Sequence, residues 1–218
     1  MVIFYLYTLF CKAMEITNEL FMAMVLFAFV TSITPGPNNM MLLASGVNYG
    51  FRLTLPHMFG ISIGHCVMLV AVGIGFGELL LRFPTIYVAI KILGFLYMLY
   101  LAWTIATSKS NNSASNNENG TKPLSFIEAA AFQWVNPKAW VMAIGFFSNY
   151  ITKEAGIETI VMCSLLFSLV NLPSIAVWAL LGSRMRRLFE VNVYAKIFNV
   201  TMAVLLVVAM VPSLLSIY

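Results

Sequence analysis

Six apolar runs organise the chain, and polar residues are confined to the gaps between them and to a few interruptions. The runs cover residues 20–45, 58–80 (opening with Met58-Phe59-Gly60), 86–107, 126–148, 157–182 and 194–217. Each is long enough to cross about 30 Å of hydrocarbon as a helix. None shows the apolar–polar alternation of a membrane barrel strand. The first run is interrupted at Pro35-Gly36-Pro37 and the fourth at Asn136-Pro137-Lys138. The tract from Ser108 to Pro123 is rich in Asn and Ser, lacks any apolar period and reads as a flexible loop.

This pattern predicts an all-α membrane protein of six transmembrane helices, with helices one and four broken at Pro motifs. Residues 1–218 form one polytopic membrane domain: a first three-helix repeat over 20–107, a cytoplasmic loop over 108–123 and a second repeat over 126–217. Residues 1–15 precede the first repeat. Residues 1–11 are apolar but too short to span, and no basic residue stands before them. They read either as an interfacial segment or as an extension upstream of a working start at Met14.

Composition agrees with a bilayer setting. The chain is 61% hydrophobic and 9% charged, far below the roughly 25% charged residues of a soluble domain. That excludes a disordered chain, a secreted disulfide scaffold and an ordinary cytosolic enzyme. The net charge of +4 does not point to nucleic acid, because the basic residues lie scattered at the ends of apolar runs. They are topology determinants instead. Arg52, then Lys109 and Lys122, then Arg184, Arg186, Arg187 and Lys196 fall in three loops on one side; Arg82 and Lys153 on the other are offset by Glu78, Glu154 and Glu158. The basic loops are expected in the cytoplasm and both termini in the periplasm.

The prolines carry the functional signal. Proline inside a helix removes a donor and clashes with the carbonyl four residues back, and freed backbone groups are costly in hydrocarbon unless satisfied. Thr34-Pro35-Gly36-Pro37-Asn38 and Asn136-Pro137-Lys138 occupy the first spans of the two three-span halves. Interrupted helices at corresponding positions point to a transporter site between inverted repeats. A half-helix starting after each interruption directs its free N–H groups and positive dipole end inward, which suits a carboxylate. Carbonyls freed by Pro35, Pro37 and Pro137, with the amides of Asn38 and Asn136, are expected to accept from an ammonium group. Lys138 adds positive charge, while the nearest acids, Glu78 and Glu128, fall toward span ends. A neutral zwitterionic amino acid fits such a site better than a dicationic one.

Other polar residues have two readings each. Lys91, five residues into span three, either snorkels to the interface or faces the substrate path. His65 either carries a coupling proton or sits neutral, hydrogen-bonded to a neighbouring helix. His57, beside Pro56, is expected in a solvated loop. Gly60 and Gly64 provide a small-residue stripe for close helix packing, and the same spacing suits a homodimer. Gln133, one turn before Pro137, and Asn171, near Pro173 in span five, are candidates for the pathway. Cys11, Cys66 and Cys163 stand apart and read as apolar fillers, not as a metal or disulfide site. No P-loop, metal-ligand cluster or nucleophile–base pair is evident, so neither an ATP-driven pump nor an enzyme nor a cofactor is expected. The competing reading is a membrane assembly or scaffold subunit that transports nothing.

Several motifs together resemble the lysine exporter/homoserine–threonine efflux (LysE/RhtB) superfamily. They are Ile33-Thr34-Pro35-Gly36-Pro37-Asn38, Gly50-Phe51-Arg52, Gly60 to Gly64, the span-three stretch Lys91 to Trp103, Asn136-Pro137-Lys138-Ala139 and the basic cluster Arg184 to Arg187. The resemblance runs from about residue 20 onward and looks nearest the cysteine/O-acetylserine and threonine/homoserine branches. It implies a bacterial inner-membrane exporter of amino acids or close derivatives, driven by proton antiport. Two departures stand out. Many relatives carry a His or Asp where this chain has Met68, and His65, about 60° away on a helical wheel, is the substitute candidate. Ala102 replaces the usual glycine before Trp103.

Overall fold

The structure, a computed structural model, describes residues 17–77, 82–108, 122–152, 155–189 and 192–209. These residues form helices joined by turns, with no strand among them. In chain order the helices are α1 (Asn18–Ile33), α2 (Pro37–Tyr49), α3 (Phe51–Gly73), α4 (Pro84–Thr107), α5 (Phe126–Phe132), α6 (Pro137–Tyr150), α7 (Ile157–Met185) and α8 (Asn192–Val208). Tight 3₁₀ turns follow α5 at Gln133–Val135 and α7 at Arg186–Phe189. The N-terminal extension, most of the polar tract, Glu78, Lys153 and the last nine residues lie outside the described residues.

Local chemistry sets several helix ends. Thr17 caps α1 by accepting from the Leu20 N–H at 3.3 Å. Ser125 and Glu128 form a reciprocal capping box on α5: the Ser125 N–H donates to the Glu128 carboxylate at 2.8 Å, and the Glu128 N–H to the Ser125 hydroxyl at 3.3 Å. Gly50 takes φ +82°, a left-handed turn that stops α2 and lets α3 begin at once. The second apolar helix thus starts seven residues before the expected Met58 and carries Pro56 inside it.

Polarity is distributed inside out. Asn39, Asn48, Gln133, Asn171 and Asn199 are buried, whereas Leu26, Trp103, Ile127 and Val141 are among the most exposed side chains. That is the arrangement of a bundle whose outer surface meets lipid. Three described helices are long and apolar enough to cross a membrane: α3, α7 and residues 88–107 of α4. The pair α1–α2, bent by 55° at its interruption, makes a fourth if taken as one span.

Small residues allow the helices to approach closely. A Cβ on Gly46 of α2 would strike the Ala179 carbonyl of α7, and one on Gly182 of α7 would strike the Leu43 carbonyl of α2. Gly60 and Gly64 of α3 lie against Phe126 and Ala130 of α5, so the small-residue stripe is used for packing within the chain. Most of the packing joins helices far apart in the chain. Helices α1 and α2 pack on α7, α5 and α6 pack on α3, and the pairs α3–α7 and α4–α8 complete the bundle.

Candidate functional site

The ends of α1 and α2 leave backbone groups to satisfy between Val30 and Gly36, and a partner can be named for each carbonyl. The Thr34 N–H donates to Val30 O at 3.2 Å and its hydroxyl to Thr31 O at 3.0 Å. The Asn39 side-chain amide donates to Ser32 O and Thr34 O, both at 2.8 Å. The Trp178 indole reaches Ile33 O at 3.0 Å from α7, and the Met40 N–H closes on Gly36 O at 2.9 Å. The ammonium of Lys138, from the other half of the chain, takes Thr34 O at 2.7 Å and Pro35 O at 3.3 Å.

The second interruption largely satisfies itself. Asn136 is the N-cap of α6: its side-chain oxygen accepts from the Lys138 N–H at 3.1 Å, and its own N–H donates to Gln133 O at 3.2 Å. The Gln133 side chain donates to Ala129 O at 2.9 Å and the Trp140 indole to Trp134 O at 2.9 Å. Pro37 and Pro137 each stand at the first position of a helix, where a missing N–H costs nothing. They set the helix starts without lining the cavity described next.

Two direct links join the interruptions. Asn38 and Gln133 exchange a reciprocal amide pair, at 2.8 Å and 3.2 Å. Lys138 Nζ, besides the two carbonyls, donates to the Thr34 hydroxyl at 3.0 Å. Beside these links lies a cavity bordered by Gly36, Asn38, Gln133, Asn136 and Lys138, with Ser32 of α1, His65 of α3 and Asn171 of α7 facing in. It offers about 20 Å³ to the centre of a water molecule, room for one or two waters. Asn171 donates to the Ser32 hydroxyl at 3.0 Å; its carbonyl oxygen is buried without a partner among the described residues, and the His65 imidazole is buried.

Of the sequence-derived candidates, Gly36, Asn38, His65, Gln133, Asn136, Lys138 and Asn171 border this one cavity, and Thr34 and Pro35 join it through the Lys138 ammonium. Lys91 falls on α4, its side chain outside the described residues. Two expectations need correction. The Asn38 and Asn136 amides are not open acceptors, since one is bound to Gln133 and the other caps α6, and the Thr34 and Pro35 carbonyls already hold the chain's own cation. His57 is not a solvated loop residue either: it is buried within α3, with neither ring nitrogen partnered among the described residues. It borders a second cavity, near Ser45, Asn48 and Lys122, because α3 begins seven residues earlier than its apolar run.

Sequence reasoning did not select Ser32 and Asn39. The signal for Asn39 was present in the carbonyls orphaned by two closely spaced prolines, which a neighbouring amide can satisfy. Ser32 carried no such signal, because its partner Asn171 lies 139 residues away.

The LysE type translocator family model matches residues 29–212. The cysteine/O-acetylserine efflux protein of Escherichia coli O1:K1 / APEC is 32% identical over 193 residues, covering 88% of this chain and 95% of the relative. Proteins of the same description from Escherichia coli strain K12 and Shigella sonnei strain Ss046 are 31% identical over the same shares. No solved structure matches the chain.

Proposed function

The chain belongs to the LysE type translocator family, a transporter and not an enzyme, and from that premise we propose that it exports a small neutral amino acid or a close derivative such as cysteine, O-acetylserine, threonine or homoserine. In this reading six spans form two inverted three-helix repeats in a bacterial inner membrane, with both termini periplasmic. The exchange pattern of helix contacts supports the repeat: swapping the halves carries the α1–α7 and α2–α7 contacts onto α5–α3 and α6–α3.

The observation that carries the proposal is the meeting of the two interruptions through Asn38–Gln133 and Lys138–Thr34. Helix kinks kept for packing alone have no need to find each other across 95 and 104 residues of sequence. A non-transporting scaffold gives no reason for that meeting, or for the Asn171 oxygen buried beside it without a partner among the described residues. Thr34, Pro35, Gly36, Asn38, Gln133, Asn136, Lys138 and Asn171 form the solute site, with Pro37 and Pro137 fixing its two helix starts. Lys91 is retained as a residue of the path.

The coupling ion is a proton and His65 its carrier: a buried imidazole bordering the cavity can exchange a proton with whatever enters. The test is efflux of each candidate amino acid from loaded proteoliposomes, with and without a pH gradient. Export of at least one, accelerated by an opposing proton gradient, is expected. His65→Gln should retain solute exchange and lose the acceleration. No efflux of any amino acid would contradict the reading.

A further inference from the structure

The Lys138 ammonium occupies the kind of place in which a substrate's ammonium would be held. Its Nζ donates to the Thr34 carbonyl at 2.7 Å, the Thr34 hydroxyl at 3.0 Å and the Pro35 carbonyl at 3.3 Å. Three oxygens thus meet the three donors of one primary ammonium. Two are main-chain carbonyls of the stretch between α1 and α2, past the last helical hydrogen bond of α1, so the cradle depends on backbone more than on side chains. The lysine stem crosses Gly36, where a Cβ would come within 2.6 Å of Lys138 Cδ. Gly36 is fully extended, φ −179° and ψ 177°, so its backbone does not require glycine; the lysine stem does.

Resting on the export reading, we propose that this cradle is the subsite for the α-ammonium of the exported solute, and that Lys138 fills it in the empty carrier as an internal stand-in. An arriving zwitterion exchanges one primary ammonium for another. The carbonyls stay satisfied, and the displaced lysine turns to the carboxylate that arrived with the new ammonium. The exchange adds no net charge to a cavity bordered, among the described residues, by a lysine and by no acid. A second cationic group on the solute would place another positive charge there without a counter-ion. A carboxylate lacking a primary amine would draw Lys138 away and leave the cradle empty. The subsite therefore selects zwitterions with a free primary amine. Withdrawal of the lysine also makes room in a cavity that otherwise admits one or two waters. The buried Asn171 oxygen, without a partner among the described residues, is a group left for the incoming solute.

Ethylammonium, a primary ammonium and little else, is the probe. Its binding to purified protein is followed by quenching of the tryptophans beside the two interruptions. Wild-type protein should bind it poorly, because its own lysine holds the cradle. Lys138→Met should bind it at least about tenfold more tightly, and Thr34→Val added to Lys138→Met should reverse part of the gain. Gly36→Ala, which keeps the lysine but crowds its stem, should open the cradle in the same direction and serves if Lys138→Met does not fold. Tetramethylammonium, with no N–H to donate, should show none of these differences. Equal ethylammonium affinity in wild type, Lys138→Met and Gly36→Ala would overturn the proposal. Efflux from wild-type proteoliposomes, read in parallel, separates the two claims. Efflux without the ethylammonium pattern removes the cradle alone, whereas the pattern without efflux of any amino acid removes the export reading and leaves only a lysine-filled ammonium site.

Discussion

The two helix interruptions solve the same physical problem in opposite ways. At Asn136 the chain supplies its own cap, its own 3₁₀ turn and an indole for a leftover carbonyl, all from residues 129–140. At Pro35 no side chain caps α2, and the leftover carbonyls rely on Asn39, Trp178 and Lys138. The first interruption is thus an acceptor that needs distant donors, and the second is a self-contained platform that presents donors. The difference follows from sequence. Pro-Gly-Pro removes two N–H groups and adds no polar side chain, whereas Asn-Pro-Lys keeps a capping amide and adds a cation. Complementary needs then bring the interruptions together, and a solute with both an ammonium and a carboxylate can answer to both.

The largest expected effect removes the donor from the second interruption. Lys138→Met removes the cation that meets the solute's carboxylate, a charge-assisted interaction of about 2–3 kcal/mol, and a roughly thirty- to 150-fold loss of efflux is expected at matched protein levels in proteoliposomes. Retained efflux would mean that the carboxylate does not need this partner. Next comes the amide pair. Gln133→Leu leaves the half-buried Asn38 amide without its partner, a cost of about 1 kcal/mol seen as a lower melting temperature. Adding Asn38→Leu should recover part of that stability, so the double variant falls short of the sum of the single ones. Strict additivity would deny the link. The smallest effect belongs to the self-contained interruption: Asn136→Ala should cost about 1 kcal/mol as a lost cap. Asn39→Leu, which deprives Ser32 and Thr34 of a shared donor at the dependent interruption, should lower the melting temperature more. If the two losses were equal, the asymmetry between the interruptions would be illusory.

The all-helical membrane character was legible because apolar runs of more than 20 residues have few other uses, and family membership because motifs recur in order along most of the chain. Faces were harder to read. Helices apolar all round give no amphipathic stripe, so only scattered polar residues mark the inside. That is why His57 was misplaced: Arg52, Thr54 and Pro56 made residues 50–57 look like a loop, whereas Thr54 and His57 are buried in a helix begun by the left-handed Gly50. Long-range partnerships left no trace in local pattern. Asn48 pairs with Asn199 across 151 residues, and Lys138 meets Thr34 across 104. An unpaired carbonyl can be anticipated from a proline, but the residue that answers it is set by packing.

The central claim is that the two interruptions meet at the solute path, and a reversible cross-link tests it most directly. Asn38→Cys combined with Gln133→Cys, in a background freed of Cys11, Cys66 and Cys163, places thiols where the amide pair now stands. The account predicts that oxidation joins them and halts amino-acid efflux from proteoliposomes, and that a thiol reductant restores it. Efflux continuing at full rate through the cross-linked protein would contradict it.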